Sequence, residues 1–258
     1  MKLYLRYLSI HLRSLMQYKT SFFMTLLGQI ILSFGGYLTI VFMMVRYHEV
    51  EGFNFSEVSL CYAAVLIAFS LAECFFRGFD TFPTMLANGE FDRIMVRPRG
   101  LIFQVLAQKI EFSRLGRLIQ ASCVFAWAIP ASGIAWSWDK ILTLALMIAG
   151  GVAVFAGLFI IYAALCFFTV DGLEFINVFT DGGREFGRYP FSIYGDGILR
   201  LLTFVVPLAM FQYYPLLYLT GRTDSTLYML TPLLGSLFLV PCLLFWRFGL
   251  RHYKSVGS

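Results

Sequence analysis

The feature that most constrains this chain is a series of long intervals without any charged residue. Six such intervals lack Lys, Arg, Asp, Glu and His. Most of them exceed the roughly 20 residues that a helix needs to cross about 30 Å of hydrocarbon. Of the 258 residues, 59% are hydrophobic and 14% are charged, and the mean hydropathy is +0.75. Because a soluble domain rarely has this composition, we predict an all-α integral membrane protein.

The charge-free intervals predict six transmembrane helices in one domain, 1–258. Their expected bounds are about 21–45, 58–76, 118–136, 141–170, 201–219 and 227–246. The second interval is the shortest, and Cys74, Phe75 and Phe76 extend its apolar run. Pro130 is expected to kink the third span, because proline removes a backbone N–H from the helix interior.

Residues 1–20 show a different pattern, which is typical of an amphipathic helix at a membrane surface. The polar positions recur every three or four residues and therefore share one helical stripe. They are Lys2, Arg6, Ser9, Arg13 and Gln17. Leucine and tyrosine residues lie between them, so we predict an interfacial helix with its basic edge toward anionic lipid headgroups.

The distribution of basic residues predicts the orientation in the membrane. With the N-terminus in the cytoplasm, seventeen of the 20 Lys and Arg residues fall inside, and only Arg46, Lys140 and Arg222 fall outside. By the positive-inside rule, both termini and the long segments 77–117 and 171–200 are predicted to be cytoplasmic. The net charge of +5 is therefore explained by topology and gives no indication of nucleic-acid binding.

The cytoplasmic segment 77–117 contains a short predicted amphipathic helix that ends before Pro98. Its apolar positions share one face and its charged positions the other. The residues concerned are Glu90, Phe91, Asp92, Arg93, Ile94, Met95 and Arg97. Such a helix is suited to docking on a soluble partner, with its apolar face in a groove and its charges at the rim. The spacing fits a helix lying in the lipid headgroups equally well.

Glu73, near the inner end of the second span, is the ionisable residue closest to the membrane interior. It is either a proton relay of the kind that coupled transporters use or an interfacial acid paired with Arg77 one turn later. The pairing with Arg77 is expected. No ionisable residue is expected at the middle of the bilayer, and no catalytic or metal-ligating arrangement is evident. The chain also lacks the G-x-x-x-x-G-K-[ST] sequence of a P-loop.

The order of these parts resembles ABC-2-type permeases, the six-span membrane subunits of bacterial ABC exporters. Gly89-x-Phe91-Asp92-x-x-Met95-x-Arg97-Pro98 looks like the G-x-L-D-x-x-L-x-R-P signature of one branch of that family. Phe91 and Met95 replace leucine there but keep the apolar face. The C-terminal half is also similar to that branch, at Tyr189-Pro190, Arg200, Pro207 and Tyr213-Tyr214-Pro215.

The resemblance implies that the segment Glu90–Arg97 is a coupling helix that contacts ABC ATPase subunits. It implies that the partner ATPase binds ATP and Mg, with no cofactor in this chain, and that a second permease, identical or homologous, completes the pathway. It further implies a location in the bacterial cytoplasmic membrane and the export of hydrophobic, peptide or lipid-like compounds. The alternative is a secondary transporter or flippase without an ATPase, for which Glu73 is the residue to test. An intramembrane enzyme has no supporting residues.

Overall fold

A computed structural model describes residues 2–169 and 177–253 of the chain. Within these ranges the regular elements are helical, with thirteen α-helices and no β-strand. The helices α1–α13 span Lys2–Leu15, Lys19–Tyr47, Phe55–Phe76, Phe82–Ala87, Glu90–Met95, Leu101–Gln108, Leu115–Ala131, Trp138–Thr169, Asn177–Phe186, Asp196–Phe204, Leu208–Leu219, Thr226–Ser236 and Leu239–His252. The end of the predicted fourth span, the start of the segment 171–200 and the tail 254–258 lie outside the described residues.

Four helical stretches are long and apolar enough to cross a membrane. They are Leu3–Tyr47, Phe55–Ala87, Trp138–Thr169 and Thr226–His252. These stretches contain the first, second and sixth predicted spans and the described part of the fourth, which supports a multi-pass membrane protein. The count of six is not established, because the third and fifth spans differ from their predicted form.

The predicted third span is shorter than expected. Its helix α7 ends at Ala131 and has 17 residues, which corresponds to only about 25 Å. Pro130 lies in the last turn of α7, and Gly133 with a φ of +65° takes the chain out of the helix. The Trp136 indole then folds back and donates to the Ile129 carbonyl at 3.2 Å. Residues 132–136 therefore form a cap on α7 and do not extend it.

The predicted fifth span, 201–219, is not a continuous helix. The chain bends by 112° between α10 and α11, and Pro207 lies directly before α11. Proline cannot donate a backbone hydrogen bond and pushes the preceding residue out of the α region, so a straight helix cannot run through this position. If the bent pair crosses the membrane as one span, the chain has five candidate spans.

Helix α3 is the centre of the described helices. It packs against α7 and α8, and all its residues from Val58 to Ser70 are buried. Small side chains allow this close packing. At Gly151 of α8, an added Cβ would lie 2.7 Å from the Ala68 Cβ, so these two helices touch almost backbone to backbone.

The segment after α9 lies against the spans and not apart from them as a cytoplasmic loop would. A Cβ added to Gly187 would lie 2.8 Å from Val65 Cγ1, and one added to Gly36 would lie 2.7 Å from Arg188 Nη2. Gly36 and Val65 lie near the middle of α2 and α3. Arg188 therefore lies beside the middle of α2, a contact that the charge count did not predict. Two glycines provide the space for this contact, which a linear pattern of polar residues does not reveal.

Candidate functional site

A buried cluster of charged side chains surrounds Glu73 near the end of α3. Glu73 Oε1 accepts a hydrogen bond from Arg77 Nη1 at 2.7 Å, and Oε2 accepts one from Arg117 Nη1 at 2.7 Å. Arg114 Nε lies 3.2 Å from Oε1. The Glu73 side chain is only 2% exposed. Both carboxylate oxygens are thus occupied by guanidinium groups.

The Glu73 cluster combines one local contact with several long-range contacts. Arg77 follows Glu73 by one turn, so the expected Glu73–Arg77 contact forms from local spacing. Arg117 arrives on α7 and also donates from Nη2 to Gln29 Oε1 at 3.0 Å. At Gly116, a Cβ would collide with the Leu26 carbonyl, so a glycine is needed where α7 meets α2. The cluster therefore joins α2, α3 and α7, while its depth in a membrane stays a prediction.

Arg117 of the Glu73 cluster and Arg184 of α9 both lie against the ring of Phe69. Arg117 Cζ lies 5.7 Å from the ring centroid, and Arg184 Cζ lies 5.1 Å from it. Both distances are within the range of cation–π attraction, which gains strength where the ring is removed from water. Phe69 is fully buried. The ring therefore connects the Glu73 cluster to the Arg184 guanidinium group of α9.

A cavity of about 240 Å³ adjoins these arginines. Its described lining is Leu32, Ser33, Tyr62, Val65, Leu66, Arg117, Arg184, Glu185 and Arg188. Glu185 forms ion pairs with both Arg184 and Arg188. The wall therefore presents three guanidinium groups and one carboxylate beside an apolar surface, an arrangement suited to binding an anionic group.

Asp80 lies at the edge of the Glu73 cluster, outside the predicted spans. Its Oδ2 is 2.6 Å from Arg77 Nε. Within residues 2–169 and 177–253, no group of three or more His, Cys, Asp or Glu side chains is placed to hold a metal ion.

The predicted coupling helix forms α5, but its apolar face is already packed. Phe91 is fully buried and Ile94 is 2% exposed. The Phe91 ring lies 5.0 Å from Phe82, 5.6 Å from Phe167 and 5.2 Å from Tyr253, measured between centroids. These residues come from α4, α8 and the end of α13. The apolar face is therefore not available to a partner's groove or to lipid, and the coupling role of the segment stays a prediction.

The exposed surface of α5 and its C-terminal turn is basic and partly apolar. Arg93 and Arg97 are exposed, Met95 is 39% exposed and Val96 is 83% exposed. Asp92 is turned toward the protein and accepts a hydrogen bond from the Tyr253 hydroxyl at 3.1 Å. Sequence spacing grouped Met95 with Phe91 and Ile94, but the chain buries only the latter two.

Four arginines of these sites were not predicted from the sequence. Arg114, Arg117, Arg184 and Arg188 were used only to count positive charges on each side of the membrane. One signal was present: Arg117 stands at the exact boundary between a charged segment and an apolar span. A charge in that position is often turned inward to a partner. Their convergence on Glu73 and Glu185 depends on helix packing, which no local pattern records.

Comparison with known proteins agrees with the membrane architecture. A family model described as ABC-2 family transporter protein matches residues 30–257, from within α2 to beyond α13. No curated protein and no solved structure matches the chain. The matched region contains the Glu73 cluster, the cavity and α5. Since the match covers far more than half of the sequence, the chain belongs to the ABC-2 family of transporter proteins.

Proposed function

We propose that this chain is the membrane-spanning permease subunit of an ABC exporter. With a second permease it forms the pathway for a hydrophobic or amphipathic substrate, and separate ATPase subunits that bind ATP and Mg supply the energy. The protein resides in the bacterial cytoplasmic membrane with both termini in the cytoplasm. The family match over residues 30–257 carries the proposal, and the charge distribution supports the orientation.

In this proposal the segment Glu90–Arg97 contacts the ATPase through its exposed basic surface and not through its apolar face. Arg93, Val96 and Arg97 are accessible, while Phe91 anchors the helix in the aromatic residues beneath it. Because Phe91 contacts Phe167 at the end of α8, a displacement of α5 by the ATPase is transmitted to α8, a long membrane helix. Close-packed side chains transmit such displacements, since they leave little free volume to absorb them.

The alternative of a secondary transporter depends on Glu73 acting as a proton relay. Both oxygens of Glu73 are held by guanidinium groups, and the side chain is nearly inaccessible. A relay needs a path to water and an oxygen that is free to accept a proton. The observed contacts therefore favour a structural ion pair and support the ATPase-driven reading.

Affinity purification of the tagged chain from its native membranes tests the coupling surface, with P-loop ATPases detected by mass spectrometry. We expect the double charge reversal Arg93→Glu and Arg97→Glu to reduce ATPase recovery at least tenfold at equal permease abundance. Each desolvated charged contact is worth about 1.5–3 kcal/mol, which corresponds to roughly a tenfold or larger change in affinity.

Arg251→Glu is the matched control, because Arg251 is also exposed and lies at the end of α13 on the same predicted side of the membrane. It should leave ATPase recovery unchanged. Equal recovery of the ATPase with the double reversal and with the control would remove α5 from the coupling role. Absence of any ATPase from the wild-type sample would argue against the proposed function itself.

A further inference from the structure

We infer that the cavity between α2, α3, α7 and α9 binds the anionic head of an amphiphile, through phosphate or carboxylate oxygens. Its described wall is formed by Leu32 and Ser33 on α2, three residues of α3, Arg117 on α7, and arginines of α9 and the loop after it. As a statement about the transported substrate, the inference rests on the proposed function. The binding chemistry itself depends only on this chain.

Hydrogen-bond donors are in excess around the cavity. Guanidinium groups donate and cannot accept. Within the part of the chain that the structure describes, the buried atoms Arg184 Nε and Gln120 Nε2 have no hydrogen-bond partner. Of these two, only Arg184 lines the cavity; Gln120 adjoins its wall, where Oε1 accepts a hydrogen bond from the Tyr62 hydroxyl at 3.4 Å. Buried donors without partners are costly, and a ligand that brings acceptor oxygens removes this cost.

Glu185 lies between two arginines of the cavity wall and pairs with both Arg184 and Arg188. Two guanidinium groups around one carboxylate are also the arrangement that binds the oxygens of a phosphate or carboxylate ligand. The Glu185 side chain is 40% exposed, whereas that of Glu73 is 2% exposed. Glu185 is therefore free to turn toward water when a ligand anion replaces it. It is an internal competitor for the site.

The rim of the cavity carries an apolar surface, which favours an amphiphile over a free anion. Leu32 lines the cavity and is 71% exposed. Along the same helix, Ile31 and Phe34 are 61% and 50% exposed. A volume of about 240 Å³ accommodates a head group but not acyl chains. The chains would extend along the exposed surface of α2, where burial of apolar area stabilises them.

Binding to the purified chain in neutral detergent tests the inference by native mass spectrometry. The probes are phosphatidylglycerol, phosphatidylcholine with the same acyl chains, and inorganic phosphate as a competitor. The wild type should bind phosphatidylglycerol about tenfold more tightly than phosphatidylcholine. Arg188→Gln should weaken phosphatidylglycerol binding about tenfold, the size expected for a charge-assisted contact. The control Arg200→Gln changes an exposed arginine outside the cavity and should have no effect.

Glu185→Gln separates a binding site from a merely structural ion pair. Removal of the internal competitor should raise the affinity for phosphatidylglycerol severalfold, a gain that misfolding cannot produce. Equal binding of the two lipids, an equal loss in Arg188→Gln and Arg200→Gln, or no gain in Glu185→Gln would overturn the inference. Displacement of the lipid by an equal concentration of inorganic phosphate would instead identify a site for a soluble anion and would also overturn it.

The test also separates this inference from the proposed function. Binding is measured on the isolated permease, and ATPase recovery is measured on the same variants. Arg188→Gln should retain normal ATPase recovery, because Arg188 contacts Gly36 and Glu185 beside the middle of α2 and is not part of the surface of α5. Selective lipid binding by a wild-type chain that recovers no ATPase would leave the site standing and remove the exporter proposal.

Discussion

Helices α2 and α3 are consecutive apolar helices in opposite environments. In the most apolar part of each stretch, 89% of the residues are buried for Phe55–Ala87 and 11% for Leu3–Tyr47. Large side chains such as Phe23 and Phe42 remain 58% and 69% exposed on α2. Hydropathy therefore shows which helices are removed from water, but not whether lipid or protein then surrounds them. A lipid tail and a protein interior are about equally apolar.

The contact between the two helices combines apolar and polar groups. Ile40 of α2 is fully buried in an apolar cluster that includes residues of α3. The Tyr62 hydroxyl of α3 donates to the Ser33 carbonyl of α2 at 3.0 Å, and the Tyr37 and Ser59 hydroxyls lie 3.2 Å apart. The proposed anion-binding cavity lies along the same boundary. α3 packs against both α7 and α8, whereas α2 packs mainly against α7 and leaves much of its surface exposed. We therefore expect α2 to move relative to α3 more readily than α7 or α8 does.

The largest expected effect is the chemical labelling of cysteines placed at the two ends of this helix pair, which should be all-or-none. A cysteine replacing Glu51, in the link between α2 and α3, should react with a membrane-impermeant thiol reagent added outside. A cysteine replacing Thr223 should behave in the same way, and one replacing Arg99, in the segment after α3, should not react. The physical reason is the bias of seventeen among 20 basic residues toward one side. The reverse labelling pattern would invert the topology and remove the docking argument with it.

Next in size is the loss of the buried carboxylate of α3. Glu73→Gln should lower the free energy of unfolding by about 3–5 kcal/mol, because removal of one member of a buried ion pair leaves uncompensated charge. Thermal unfolding in detergent measures the effect. Glu49→Gln, an exposed acid after α2, is the control and should change little.

The Glu73→Gln variant also tests the alternative function. Transport per folded permease should remain driven by ATP and insensitive to an uncoupler. Transport that a proton gradient drives without ATP in wild-type vesicles, and that Glu73→Gln abolishes, would establish the secondary-transporter alternative.

A third test compares the two helices with the same substitution. Leu60→Ala on α3 removes a fully buried side chain and should cost about 2–5 kcal/mol of unfolding free energy. Leu27→Ala on α2 truncates a side chain that is 50% exposed and should change stability in detergent by no more than about 0.5 kcal/mol. Thermal unfolding of both variants measures the difference. Equal destabilisation would show that α2 is packed as tightly as α3 and would remove the contrast between them.

The smallest effect concerns Arg222, which closes the link between α2 and α3. Its guanidinium lies 3.6 Å from the Phe53 ring centroid and 3.3 Å from Glu57 Oε2. Arg222→Ala should lower the free energy of unfolding by about 1 kcal/mol, the typical size of a partly exposed cation–π contact. Arg46→Ala removes an exposed arginine at the end of α2 and serves as the control. Faster hydrogen exchange confined to residues 48–54 in Arg222→Ala would support the assignment, and unchanged exchange there would contradict it.

The amino-acid sequence by itself determined the membrane class, the approximate positions of four long helices and two local details. Phe91 and Ile94 share one buried face, and Glu73 pairs with Arg77. Both details follow from the 3.6-residue period, which places positions three and four apart on the same side of a helix. The length of a charge-free interval is likewise read directly from the sequence, and the thickness of the bilayer sets the length that a span needs.

Only the packing of the helices determines which of them is central and which arginines meet. Arg117 reaches Glu73 across 44 positions, and Arg188 lies beside the middle of α2. Such contacts depend on how helices pack, and several of them depend on single glycines that allow a close approach. Hydropathy carries no information on this packing, since lipid and protein replace water on an apolar side chain at similar free energy.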